Sequence, residues 1–192
     1  NRTTGSNLSA TISRNGDLVS NLWIDVLLPS GTTQALSGAG KYINWTNNTG
    51  HALVKQCEVE IGGQLIDRHY SQWLDVWNEL TDHDEQEWFG LNKHAAKNVY
   101  LKENKGESPL RNNRLYVPLK FWFCRNPGLA LPLIALQYHE VKINLVTRNL
   151  HYLINSNSST HMADVKWPIP PTVDLWADYI YLDTDERRRF AQ

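Results

Sequence analysis

Period-two alternation of apolar and polar residues runs through most of this chain. From Leu18 to Leu28, Leu22, Ile24, Val26 and Leu28 share one side of an extended segment, which predicts a half-buried strand. Leu53, Cys57, Val59 and Ile61 share another, opposite Gln56, Glu58 and Glu60. Gly62-Gly63 then forms a two-residue hairpin turn that returns the chain through Gln64 to His69. Further on, Leu115, Val117, Leu119, Phe121 and Phe123 alternate along one predicted strand, and Pro118 inside it indicates a sheet edge or a bulge. Asn126-Pro127-Gly128 predicts a type II turn, because proline presets φ and glycine accepts a positive φ. Val141, Ile143 and Leu145 oppose Glu140, Lys142 and Asn144, one dry and one wet face, as in an antiparallel sheet. The last strand carries Val173, Leu175, Ala177, Tyr179 and Tyr181 against Asp174 and Asp178. A short strand is expected at Ala10 to Ser13, with Arg14-Asn15-Gly16-Asp17 as a hairpin turn, and another near Tyr42 to Trp45 inside the long polar loop 32–50.

In two places the period changes. Trp73, Leu74, Trp77 and Leu80 recur at helical spacing behind Ser71, a candidate N-cap. A second helical stretch is expected from Asp84 to Lys97, with Asn98 to Asn113 and Asn155 to Thr160 as polar loops. The sum is seven or eight strands with one or two helices in a single loop, and neither a βαβ rhythm nor an internal repeat. That pattern predicts an all-β, antiparallel Greek-key sandwich, of which the jelly roll is one solution. Strand pattern alone does not separate it from other sandwiches.

Composition narrows the function. A chain of 192 residues suits one domain and buries roughly 70% of its unfolded surface without needing a disulfide. Its formal charge of −1 lacks the basic excess of a protein built to bind nucleic acid. The only cysteines, Cys57 and Cys124, have neither the spacing of a zinc site nor the number of a disulfide scaffold, and read as reduced thiols in or near the core. Eight Trp and eight Tyr are many for one domain; most are expected to fill a wide sandwich, and some to face partners.

Catalytic and metal chemistry find little support. The seven histidines are scattered, without HxH or HExxH spacing. Asp82-His83-Asp84-Glu85 lacks the spacing of a calcium loop and suits a helix start. No GxSxG or Cys/His grouping is legible, so no catalytic, cofactor-binding or metal residue is assigned. Asn-x-Ser/Thr sequons begin at Asn1, Asn7, Asn44, Asn47 and Asn157; of these, Asn44, Asn47 and Asn157 fall in predicted loops and are the glycosylation candidates. Arg187-Arg188-Arg189, beside Asp183, Asp185 and Glu186, is a mixed-charge cluster.

Three long blocks carry a family resemblance: VEIGGQLIDRHYSQWLDVWNEL, PLKFWFCRNPGLALPLIALQYHEVKINL and DYIYLDTDERRRFAQ. In this order and spacing they resemble the major capsid proteins of nucleocytoplasmic large DNA viruses, in the first of that family's two jelly rolls. The resemblance implies a structural virion protein without enzymatic activity or cofactor. It implies homotrimeric, pseudo-hexagonal capsomers in an icosahedral shell, assembled in the host cytoplasm. Expected partners are the second jelly roll of the same chain, neighbouring capsomers and minor capsid proteins, near an internal viral membrane and without direct nucleic-acid contact. The block holding Arg187, Arg188 and Arg189 closes the first jelly roll in that family, which points these residues at interdomain or intersubunit pairs. The family's early N-terminal segment and second jelly roll are missing from residues 1–192, so the chain reads as one jelly-roll domain of a longer polypeptide; a single-jelly-roll relative is the alternative. Outside the resemblance, a carbohydrate-binding jelly roll using exposed Trp and Tyr, or a glycan-acting enzyme on the same fold, fits the composition.

Overall fold

The computed structural model describes residues 5–29, 43–46, 48–81, 113–156 and 171–191. Ten strands are described: β1 Asn7–Thr11, β2 Leu18–Leu28, β3 Ile43–Trp45, β4 Val54–Ile61, β5 Gln64–Tyr70, β6 Asn113–Pro118, β7 Leu131–Pro132, β8 Val141–Thr147, β9 Ile154–Ser156 and β10 Thr172–Ile180. They form a four-stranded sheet in the order β1-β8-β4-β5 and a facing sheet in the order β10-β2-β6, with β7 also paired to β2. β3 and β9 make a separate ribbon, and every pairing is antiparallel. The chain is the antiparallel sandwich that its alternation predicts.

Four α-helices are described: α1 Thr49–Leu53, α2 Ser71–Thr81, α3 Trp122–Arg125 and, after β10, α4 Thr184–Ala191. Of these, α2 coincides with the expected helix, and Ser71 is its first residue. The expected helix from Asp84 to Lys97 lies outside the described residues. α1 and α3 are too short to show a period, which is why alternation alone misses them.

β2 is central because it is paired on both sides. β10 runs along one edge from Thr172↔Leu27 to Ile180↔Leu18, and β6 and β7 share the other. Its inward residues Leu22, Ile24, Val26 and Leu28 are buried, as are Cys57 and Val59 on β4 and Ile143 and Leu145 on β8; all belong to one continuous core. At the β4–β5 turn, Gly62 and Gly63 have φ of +59° and +82°, a region that side chains disfavour. A methyl group on Gly62 would also lie 2.7 Å from the ring of His139.

Three expectations are corrected. Residues 14–17 do not make a hairpin, because β1 and β2 belong to opposite sheets and the segment crosses between them. There Arg14 donates to the carbonyls of Leu136, Gln137 and His139, and the Asp17 amide donates to Ile180 O at 3.1 Å. The strand expected from Leu115 to Phe123 stops at Pro118, which has no N–H to donate. The chain makes one more bond, Leu119 N to Leu22 O at 2.9 Å, then coils into α3. All five predicted core residues are nevertheless buried: the inward direction persists although the strand does not. Pro118 does sit on an edge strand, as expected. Finally, Asn126-Pro127-Gly128 forms a 3₁₀ turn rather than a type II turn. The Asn126 side chain accepts from Gly128 N at 2.9 Å, and Leu129 N closes onto Asn126 O, so no positive φ is needed.

Phe121 is fully buried, 4.3 Å from the His69 ring and 5.9 Å from the Phe123 ring. Phe121→Ala should cost about 3–5 kcal/mol, read as a lowered midpoint in denaturant unfolding; a loss below about 0.5 kcal/mol would contradict this packing.

His69 is 4% exposed and, among the described residues, neither ring nitrogen has a hydrogen-bond partner. Burial pushes its pKa down to about 4, opposed by nearby Asp67 and reinforced by Arg125. The unfolded chain therefore binds a proton from about pH 6.5 downward that the folded chain refuses until about pH 4. Stability should fall as pH falls through that window, by up to about 3 kcal/mol. His69→Phe should flatten this part of the profile in urea titrations at pH 4 to 7, and an unchanged slope would remove His69 as its source.

Candidate functional site

Among the described residues, no group of three or more His, Cys, Asp or Glu side chains is placed to hold a metal ion. Both thiols are free. Burial pushes the Cys57 thiol far up and the Cys124 thiol to about 11, so neither is an activated nucleophile. His51 is buried and bound to Asp75 at 2.5 Å, tying α1 to α2. No described helix is long and apolar enough to cross a membrane.

Of the glycosylation candidates, Asn44 lies in the short strand expected near Tyr42 to Trp45 within the long polar loop. It is the middle residue of β3, which pairs with β9 beside the buried Trp45. Asn47 and Asn157 lie outside the described residues. The arginine cluster divides by role. Asp183 caps α4 by accepting from the amides of Asp185 (3.0 Å) and Glu186 (2.9 Å). Arg187 then reaches Asp17 Oδ2 at 2.9 Å, where the Leu182 amide also donates at 2.8 Å. These two donors hold the Asp17 carboxyl below its usual range. Arg188 lies 4.0 Å from Asp185 in an exposed i,i+3 pair, and Arg189 is exposed. Arg187 thus fastens α4 to the sandwich, and its two neighbours face outward.

The features that distinguish this molecule are its surfaces. The outer face of the β1-β8-β4-β5 sheet carries one polar row across all four strands, Ser9, Asn144, Glu58 and Arg68 in register. Ser9 donates to Asn144 at 2.7 Å, Asn144 to Glu60 at 3.1 Å, and Gln56 and Arg68 both donate to Glu58. Its hydrogen bonding is largely internal, and what remains suits water.

The outer face of the β10-β2-β6 sheet is different. Trp176, Trp23 and Pro118 are in register across its three strands, and Asp174, Asp25 and Tyr116 form the next row. Trp176 is 59% exposed, Leu27 44% and Tyr116 41%. Asp25 is 3% exposed and accepts from both Nε and Nη2 of Arg114. Arg114 is the main cause that holds the Asp25 carboxyl below its usual range. The guanidinium also lies 5.6 Å from the centre of the Tyr116 ring.

A third surface follows β5 and α2, where Leu65, Ile66, Tyr70, Val76 and Leu80 are exposed. Helical spacing assigns Trp73, Leu74, Trp77 and Leu80 to one stripe, yet only Leu74 of these is buried. Trp73 and Trp77 pack on each other and on Arg125, whose guanidinium lies 4.7 Å from the Trp77 ring centre. The aromatic excess in the composition is the signal that foreshadows these surfaces; no local motif marks where they fall.

A family model described as "Major capsid protein N-terminus" matches residues 1–183. The chain belongs to this family. Among relatives named major capsid protein, it is 42% identical to that of Phaeocystis pouchetii virus and 38% identical to that of Paramecium bursaria Chlorella virus 1, in each case over 98% of this chain. It spans only 41% and 39% of those relatives' lengths. A quasi-atomic capsid of the latter virus matches with TM-score 0.70 and 35% identity, covering 98% of this chain and 41% of that one. The Faustovirus major capsid protein, at 12% identity, shares the fold with TM-score 0.64. The sandwich described above is therefore the jelly roll of viral capsids, and the family is that of large DNA viruses.

Arg114→Ala should leave the Asp25 carboxylate buried without its guanidinium partner, at a cost of about 1–3 kcal/mol. Because the folded pKa of Asp25 is depressed, the pair's stabilisation is present above the unfolded carboxyl pKa and is lost as pH falls through the folded value. Urea unfolding at pH 7 and pH 3 should show the variant and parent converging at the lower pH; an equal gap at both would contradict the pairing.

Proposed function

We propose that these residues are the first jelly roll of a major capsid protein in which three chains form a pseudo-hexagonal capsomer of an icosahedral shell. The family match over residues 1–183 carries this reading. The role is structural: a rigid sandwich supplies a tile, and tiling needs complementary surfaces rather than an active site. The aromatic outer face of the β10-β2-β6 sheet and the exposed strip on β5 and α2 are the surfaces suited to it, since Trp, Tyr and Arg dominate the energetics of protein interfaces. In this reading the other subunits of the capsomer, a second jelly roll of the same polypeptide and neighbouring capsomers cover these surfaces. Arg188 and Arg189 serve as contacts to the second domain or another subunit, while Arg187 acts within the domain. Assembly takes place in the host cytoplasm, the shell lies close to an internal membrane, and the protein binds neither nucleic acid directly nor any cofactor.

The complete polypeptide at micromolar concentration should scatter light with three times the mass of its chain. A strictly monomeric species under these conditions would overturn the capsomer reading.

A further inference from the structure

We propose that the aromatic face of the β10-β2-β6 sheet is the docking site for helix α4 of a second copy of the chain, which presents Arg188, Arg189 and Phe190. This rests on the capsomer reading and specifies one of its contacts.

The contrast between the two outer faces motivates it. Both are built from the same alternation, but one closes its polar groups on itself and the other leaves Trp176 59% and Tyr116 41% exposed. This second face is also preorganised. Asp25 takes hydrogen bonds from Nε and Nη2 of Arg114, whose guanidinium also lies 5.6 Å from the Tyr116 ring centre, so this part of the face is already fixed before any partner arrives. Prior fixation lowers the entropy cost of docking.

Charge selects the occupant. Asp25 and Arg114 neutralise each other, and Asp174, which also interacts with Arg114, and Asp178 form an anionic border to the aromatic rows. Among the described residues, Asp178 accepts a neutral hydrogen bond from Asn21 at 3.3 Å. A matching partner therefore offers cations beside an apolar group. On α4, the Arg188 side chain is 77% exposed, Arg189 is exposed, and Phe190 is 45% exposed. Guanidinium groups suit both elements of the face, pairing with carboxylates and stacking on indole rings.

The helix of the same chain is otherwise engaged. Arg187 and the Leu182 amide bind it to Asp17, and the Asp17 amide is bonded to Ile180 at the end of β10. It is thereby anchored at the edge of the sheet whose face is to be covered. A contact between α4 of one copy and the sheet face of the next joins two different surfaces. Contacts of this kind close only as rings, and three copies make the smallest ring beyond a pair.

Charge reversal in the complete polypeptide tests this. Arg188→Glu with Arg189→Glu, and separately Asp174→Arg with Asp178→Arg, should each weaken trimer association at least about tenfold by sedimentation. All four together should recover association to within about threefold of the parent. Silent reversals, or losses that add instead of cancelling, would overturn the proposal. Oxidative footprinting of the unmodified protein gives a readout independent of any variant's folding: labelling of Trp176 should fall on trimerisation, and unchanged labelling would overturn the proposal as well. A parent that trimerises while the reversals stay silent refutes this contact alone; a parent that never trimerises refutes the capsomer reading and the contact together.

Discussion

Everything in this sandwich depends on β2 being paired along both edges while its inward side chains are removed from water. Eleven residues, Leu18–Leu28, meet β10 on one side and β6 and β7 on the other. Their N–H and C=O groups find partners within the sheet, so Leu22, Ile24, Val26 and Leu28 can be buried at no cost in unpaired backbone. The opposite sheet supplies the other half of the core, and helices and turns adjust around this fixed layer. Asp17, immediately before β2, extends the arrangement by joining the end of β10 and α4 to it.

The two sheets solve the problem of an outward face in different ways. In the β1-β8-β4-β5 sheet, polar residues bond across strands and the face is finished as it stands. In the β10-β2-β6 sheet, one buried carboxylate, Asp25, holds the Arg114 guanidinium, and the Trp176 and Tyr116 rings remain outside. The first arrangement suits contact with water and the second suits contact with protein. The capsomer proposed above would need both: surfaces that stay wet and surfaces that meet their neighbours.

Much of the fold was legible in the chain because burial enforces alternation. The inward residues of β2, β4 and β8 and the Gly62-Gly63 hairpin follow from it directly. Local signals failed where a long-range partner decided the outcome. Asn15-Gly16 has hairpin chemistry, but β1 and β2 find their apolar partners in opposite sheets, and the segment becomes a crossover. Phe121 and Phe123 kept their inward direction after Pro118 ended the ladder, so the core was readable although the strand was not. The candidate surfaces were far less legible. Trp73 and Leu80 fit a helical stripe, yet α2 buries only Leu74 of that stripe, because spacing specifies a face and not what covers it. The role of Arg187 was hidden for the same reason: its partner, Asp17, stands 170 residues earlier in the chain.

The pairing of β2 with β10 also has a consequence for time. Asn21 and Asp178, side by side on these strands, are separated by 157 residues. At a synthesis rate of about 5–20 residues per second, β2 leaves the ribosome roughly 10–30 s before its long neighbour exists. During that interval an apolar strand with an open edge is available to any other chain, including the identical one being made next to it. Contacts this distant in sequence also make for slow closure once the chain is complete. The central strand thus stays unsealed on this side until β10 is made, so the yield of folded protein depends on what shelters β2 in that interval.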